Sequence, residues 1–151
     1  MKIALASDHA GYALKTAVKV YLVEKGFVVE DFGTDSEEKV DYVDFARKAA
    51  EALVAGTCSK GILCCGTGLG MSIVANKYPG VYAALCCDAY MAEMSRLHND
   101  ANCLTMGGRI LPEDEALLIV ETWLKTDFEE GRHQGRLDKI CLLYTSRAHE
   151  T

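Results

Sequence analysis

Residues 61–72, Gly-Ile-Leu-Cys-Cys-Gly-Thr-Gly-Leu-Gly-Met-Ser, restrict what this chain can fold into: an apolar run ends in two thiols and enters three glycines spaced by single residues. The stretch reads as a strand, a bare-backbone loop and a helix start. Such a loop turns peptide N–H groups toward one point, and the dipole of the following helix adds to the attraction for an oxyanion or phosphate. Cys65 stands at the lip of that site. Convergent N–H groups favour a thiolate, so Cys65 is read as a base or nucleophile rather than an inert core residue.

Around this loop, apolar runs of strand length alternate with segments of helical period, the pattern of repeated βαβ units. Strands are expected at 2–7, 28–32, 61–65, 81–86 and 103–106. Ala13, Leu14, Ala17, Val18, Tyr21 and Leu22 recur at three- and four-residue steps, which predicts a first helix packed on the sheet and stopped by Gly26. Lys15 is assigned to its solvated face. A second helix is expected over 42–55, with Phe45, Ala49, Ala52 and Leu53 inward and Gly56 as its stop. Shorter helices follow Gly70 and Asp88, and another covers 113–124 with Pro112 in its first turn. The expected fold is a single doubly wound, Rossmann-like α/β domain, with a five-stranded parallel sheet between helices.

The ligand site of such a sheet lies outside the carboxyl ends of its strands, which draws together Asp8 and His9, the Cys65 loop, Asp88, and Gly107, Gly108 and Arg109. A net charge of −6 argues against nucleic acid as a partner, and no apolar run approaches bilayer length. Met1 and Lys2 lead directly into the first strand without a signal peptide, which fits a cytoplasmic protein. The 7 cysteines then read as reduced thiols, with Cys58, Cys64, Cys86, Cys87 and Cys103 acting as small hydrophobes. Neither adjacent pair has Cys-x-x-Cys spacing, so no metal site is expected.

Two further clusters carry chemistry. In Leu97-His98-Asn99-Asp100-Ala-Asn102, His98 is either a helix C-cap or a proton carrier. In Gly131-Arg132-His133-Gln134-Gly135-Arg136, two arginines stand four apart, on one face if the segment is helical. With Arg109 they would clamp a phosphate, unless they pair with acids such as Glu129 and Glu130. Asp8 could equally be a helix cap, with His9 an exposed turn residue. A dinucleotide fingerprint competes for Gly66, Gly68 and Gly70, and Asp88 lies about 20 residues on, where a ribose-binding acid would sit. However, the spacing is not Gly-x-Gly-x-x-Gly, and the loop follows the third strand.

Set in order, Ser7-Asp8-His9-Ala-Gly11, Asp31-Phe-Gly-Thr34, Asp41-Tyr42, Cys65-Gly-Thr-Gly-x-Gly-x-Ser72, Ala75-Asn-Lys77, His98-Asn-Asp-x-Asn102, Gly107-x-Arg109 and the Arg132 to Arg136 segment resemble the type B ribose-5-phosphate isomerases and the related galactose-6-phosphate isomerases. The resemblance spans nearly all of residues 1–140. It implies aldose–ketose isomerisation of a phosphorylated pentose through a cis-enediolate, with neither metal nor organic cofactor. Carried over by position, Cys65 is the base, and Gly66, Thr67, Gly68, Leu69 and Gly70 hold the enediolate oxygen. Asp8 moves protons between sugar oxygens, His98 opens the furanose ring and Asn99 holds a hydroxyl. His9, Arg109, Arg132 and Arg136 bind the phosphate. The resemblance further implies a homodimer, or a tetramer, with active sites shared between chains.

Some relatives are thought to use a Glu just after the third glycine; here that position is Met71, which leaves Cys65 as the base. The alternatives are an isomerase of a hexose 6-phosphate such as allose or galactose, and a non-catalytic module that binds a nucleotide or sugar phosphate. Residues 141–151 show no period continuous with the preceding helix. They are read as a non-native tail, the translation of a sequencing adapter joined to a truncated frame, so the isomerase domain is set at 1–140.

Overall fold

Alternating strand side chains serve two different helix layers, and this fixes the architecture. In the computed structural model, which describes the backbone over residues 1–150 and side chains through Tyr144, the order is β1 (Lys2–Ser7), α1 (Tyr12–Glu24), β2 (Val28–Asp31), α2 (Tyr42–Ala55), β3 (Lys60–Cys65), α3 (Leu69–Ala75), β4 (Ala83–Leu85), α4 (Ala89–Leu97), β5 (Cys103–Gly107), α5 (Glu113–Lys125) and α6 (Arg132–Glu150). The five strands are parallel, in the order β2-β1-β3-β5-β4.

Ile3, Leu5, Ile62, Cys64, Leu104 and Met106 face one way, toward Leu14, Val18 and Leu22 of α1 and Ile119, Val120 and Trp123 of α5. Ala4, Ala6, Leu63, Cys65 and Cys103 face the other way, toward Ala46, Ala49 and Ala52 of α2 and Met71 and Ala75 of α3. The period-two alternation of strands accounts for this division. The doubly wound parallel sheet expected from the sequence is present. The direction in which successive strands are added reverses between β1 and β3, so the carboxyl ends of those two strands form the crevice where ligands of such sheets bind.

Four local expectations change. Lys15 is not on a solvated face: it is 2% exposed and ion-paired with Asp31, whereas Ala13 is exposed. The fourth strand shrinks from 81–86 to Ala83–Leu85: at its start a side-chain amide takes the Tyr82 N–H, while at its end Cys86 N still donates to the Thr105 carbonyl of β5. Asn102 Oδ1 accepts from Tyr82 N, while the Asn76 amide brackets both the N–H and the carbonyl of Ala83. Pro112 is the N-cap of α5 rather than part of its first turn. Helix α6 continues past residue 140, where the Tyr144 hydroxyl donates to the Asn76 carbonyl.

Candidate active site

Two groups of the expected residues lie at opposite edges of the sheet. The first sits at the carboxyl edge. As β1 turns into α1, Asp8 Oδ1 accepts from Gly11 N (3.0 Å), and Asp8 N donates to the Cys64 carbonyl of β3. The turn can lie this close because residue 11 has no side chain: a Cβ there would stand 2.2 Å from the Cys64 oxygen. The next residue, His9, accepts from Val40 N at Nδ1 (3.3 Å), which leaves its mobile proton on Nε2.

At the end of β3, Cys65 Sγ accepts from Gly68 N at 3.1 Å. The sulfur therefore faces the glycine turn. Gly68 has φ +85, and a Cβ there would meet Leu85 Cδ1 at 2.5 Å and the Met106 backbone at 3.0 Å, so only glycine fits without displacement. Two loop amides are already engaged, Gly68 by this sulfur and Leu69 by Thr67 Oγ1, so the loop is a less open cradle than its glycine count implies. Gly108 N donates to the Cys65 carbonyl and Arg109 N to that of Gly66, which fastens the β5 turn to the loop and sets Arg109 beside it. The adjacent thiol differs in character: burial pushes Cys64 far above the usual range. Cys86 is raised to about 11 and Cys103 to about 12 by the same cause. Cys87, expected as a packed hydrophobe, is exposed. Asp88 caps α4 through Met91 N, which accounts for the acid that the dinucleotide reading invoked.

The second group sits at the amino edge, where α4 ends before β5 begins. His98 is the C-cap of α4, and its ring stacks on His133 of α6 with centroids 4.2 Å apart and planes 20° apart. His133 is 3% exposed; burial, with the neighbouring His98 and Arg132, holds its imidazole below the usual range. Arg132 and Arg136 project from the exposed face of α6 while His133 and Leu137 turn inward. Among the described residues no ion pair engages either arginine or Arg109. His98, Glu129 and His133 offer ligand atoms within 4.8 Å of one another. Stacked rings hold their lone pairs in near-parallel planes, whereas a tetrahedral ion needs them to converge.

Gly61 pairs with Cys103 at one end of the β3–β5 ladder and Cys65 with Gly107 at the other. Those four residue steps span about 13 Å, so His98 and its arginines lie beyond hydrogen-bonding reach of Cys65 in the same chain.

The model for a family described as Ribose/Galactose Isomerase matches residues 3–140. The chain belongs to that family. It is 44% identical over 146 residues to ribose-5-phosphate isomerase B of Escherichia coli (strain K12), covering 97% of this chain and 98% of that relative. It is 45% identical over 137 residues to 4-deoxy-4-sulfo-D-erythrose isomerase of Clostridium sp. (strain MSTE9), covering 90% and 86%. The solved structure of Clostridium thermocellum ribose-5-phosphate isomerase B matches with a TM-score of 0.96 at 52% identity, covering 97% of this chain and 99% of that one.

Within this ribose/galactose isomerase chain, sequence reasoning missed Arg96, which shapes the His98 loop. It is 7% exposed, and its guanidinium donates to Asp100 Oδ1 (2.9 Å), the Ala101 carbonyl (2.7 Å) and the Thr126 carbonyl (3.1 Å). It thereby ties the loop after α4 to the segment leading into α6. The available signal was helical spacing: Arg96 follows Ala92 by four positions on the buried face. Arg96→Ala strands two carbonyls beneath the loop and should lower unfolding stability in urea by about 3 kcal/mol, the scale of a lost charged hydrogen bond.

Proposed function

We propose that this chain interconverts ribose 5-phosphate and ribulose 5-phosphate, with Cys65 as the base. The observation carrying this reading is the Gly68 N–H aimed at Cys65 Sγ, at a strand end shared with Asp8. The Cys65 thiolate removes the hydrogen on C2 of the open-chain aldose, and the electron pair forms a cis-enediolate with the negative charge on O1. Asp8 transfers a proton between O2 and O1, and the protonated sulfur returns its proton to C1. Loop amides facing the developing oxyanion lower its energy by about 3 kcal/mol per donor, the scale measured for oxyanion holes. His98 opens the ring and Asn99 holds a hydroxyl, while His9, Arg109, Arg132 and Arg136 hold the phosphate.

The separation between the two sheet edges supports a homodimer in which one chain presents the Cys65 edge to the His98 edge of a second. Exposed apolar side chains flank the glycine loop, Leu69 at 54%, Ile73 at 61% and Ile110 at 57%, and a second chain would cover them. Among the described residues no helix is long and apolar enough to cross a membrane.

The relative named for a sulfonated erythrose shows that 45% identity alone does not choose the sugar. A panel of ribose 5-phosphate, allose 6-phosphate, galactose 6-phosphate and 4-deoxy-4-sulfo-D-erythrose tests the assignment by direct detection of the ketose. Ribose 5-phosphate should give the highest kcat/KM. Faster turnover of a hexose or the sulfonate would move the substrate, and binding without any ketose formed would remove the enzyme reading.

A further inference from the structure

Lys15 is buried on the helix that packs beneath the carboxyl edge. Its ammonium donates to Asp31 Oδ1 (2.8 Å) and to the Thr34 carbonyl, and it lies 5.5 Å from the centroid of the Tyr12 ring. The same Asp31 oxygen accepts from Gly33 N, and the second one from Lys19. Burial alone would push the Asp31 carboxyl up, but bonds from Lys15, Gly33 and Lys19 outweigh it and hold the group below the usual carboxylate range.

The turn held this way bonds in both directions to the last residue of β1. Ser7 N donates to the Gly33 carbonyl and Thr34 N to the Ser7 carbonyl, each at 2.8 Å. Ser7 is followed directly by Asp8 and His9. Beyond Thr34 the segment reaches Val40, whose N–H bonds His9 Nδ1, and then Tyr42, whose ring occupies the space a Cβ on Gly70 would need, 2.6 Å away. Packing alone does not require an ammonium here, because burying a charge is costly unless it is fully paired. A paired charge fixes direction, which an apolar side chain cannot do.

We propose that Lys15 is a positioning residue of the isomerase: it clamps the 31–34 turn on β1, so that the following segment orients the His9 imidazole and roofs the glycine loop. The inference rests on the isomerase reading above, since His9 acts there on the phosphate.

Lys15→Met, of similar length and neutral, tests it together with Asp31→Asn. In Lys15→Met, kcat/KM for ribose 5-phosphate should fall about 10²-fold, the effect of roughly 1 Å of misplacement, with most of the loss in KM. The Val40 amide should exchange faster with solvent, and the His9 ¹⁵N shifts should change from one tautomer to a mixture. Asp31→Asn should show the same three changes in smaller measure. A folded Lys15→Met with wild-type KM and an undisturbed His9 overturns the proposal, whatever its Tm. Should that variant fail to fold, Asp31→Asn decides by the same readouts. Wild-type protein that forms no ribulose 5-phosphate would overturn the functional reading instead, and the amide and imidazole signals would still judge Lys15.

Discussion

Cys65→Ala is expected to lose about 10⁴-fold in kcat for ribose 5-phosphate, the upper range for removing a general base, while binding the sugar phosphate within about threefold of wild type. The asymmetry follows from where the sulfur sits. It lies at the inner end of the glycine loop with Gly68 N–H pointed at it, and it is 4% exposed, so in the ground state it contributes little contact area to a bound sugar. As the proposed base its stabilising role would arise as the C2–H bond breaks, which removes it from the binding term and places it in the rate. Arg136→Ala should behave in the opposite sense, raising the dissociation constant with much smaller loss of kcat, because a guanidinium on the phosphate contributes alike to ground and transition states. Cys64→Ala is the companion control. That thiol points to the α1 and α5 side of the sheet and is held neutral by burial, so activity should persist. Equal loss of turnover in Cys64→Ala and Cys65→Ala would remove Cys65 from its role.

The sheet and the shape of the glycine loop at its carboxyl edge were legible because both depend on local pattern. Strand alternation placed Cys64 and Cys65 on opposite faces, and glycine spacing marked the loop whose crowding the structure explains through Leu85, Met106 and Tyr42. Lys15 and Arg96 were not legible. Each stands on a helix whose pattern shows where apolar residues face, and a cation on that face announces nothing until its carbonyl and carboxylate partners arrive from distant segments, Thr34 and Asp31 for one and Thr126 for the other. The start of the fourth strand was overestimated for a related reason, since the Asn102 side chain takes the Tyr82 N–H without altering the apolar run. His98 shows the limit of the edge rule. A helix that leaves the carboxyl end of one strand must finish at the amino end of the next, so a residue at its C-cap is carried away from the loop it follows in sequence.

That separation leads to the other large expected effect. Co-expressed with a doubly substituted His98→Ala, Arg136→Ala chain, the Cys65→Ala chain should recover activity that neither protein has alone. If each site joins the Cys65 edge of one chain to the His98 edge of another, either variant homodimer carries a lesion in both sites. A mixed dimer concentrates all lesions in one site and leaves the other intact. Random pairing makes half the dimers mixed, so the preparation should reach about a quarter of wild-type turnover per site. Separately tagged chains, purified through both tags, should reach about half. If Cys65 and His98 served one site within a single chain, no mixture could contain an intact site, and activity would stay at the level of the variants. The roughly 13 Å of strand between the two edges makes this outcome a direct reading of the architecture rather than of the chemistry. Recovery would therefore establish the second chain as part of the catalytic unit even if the substrate panel reassigned the sugar.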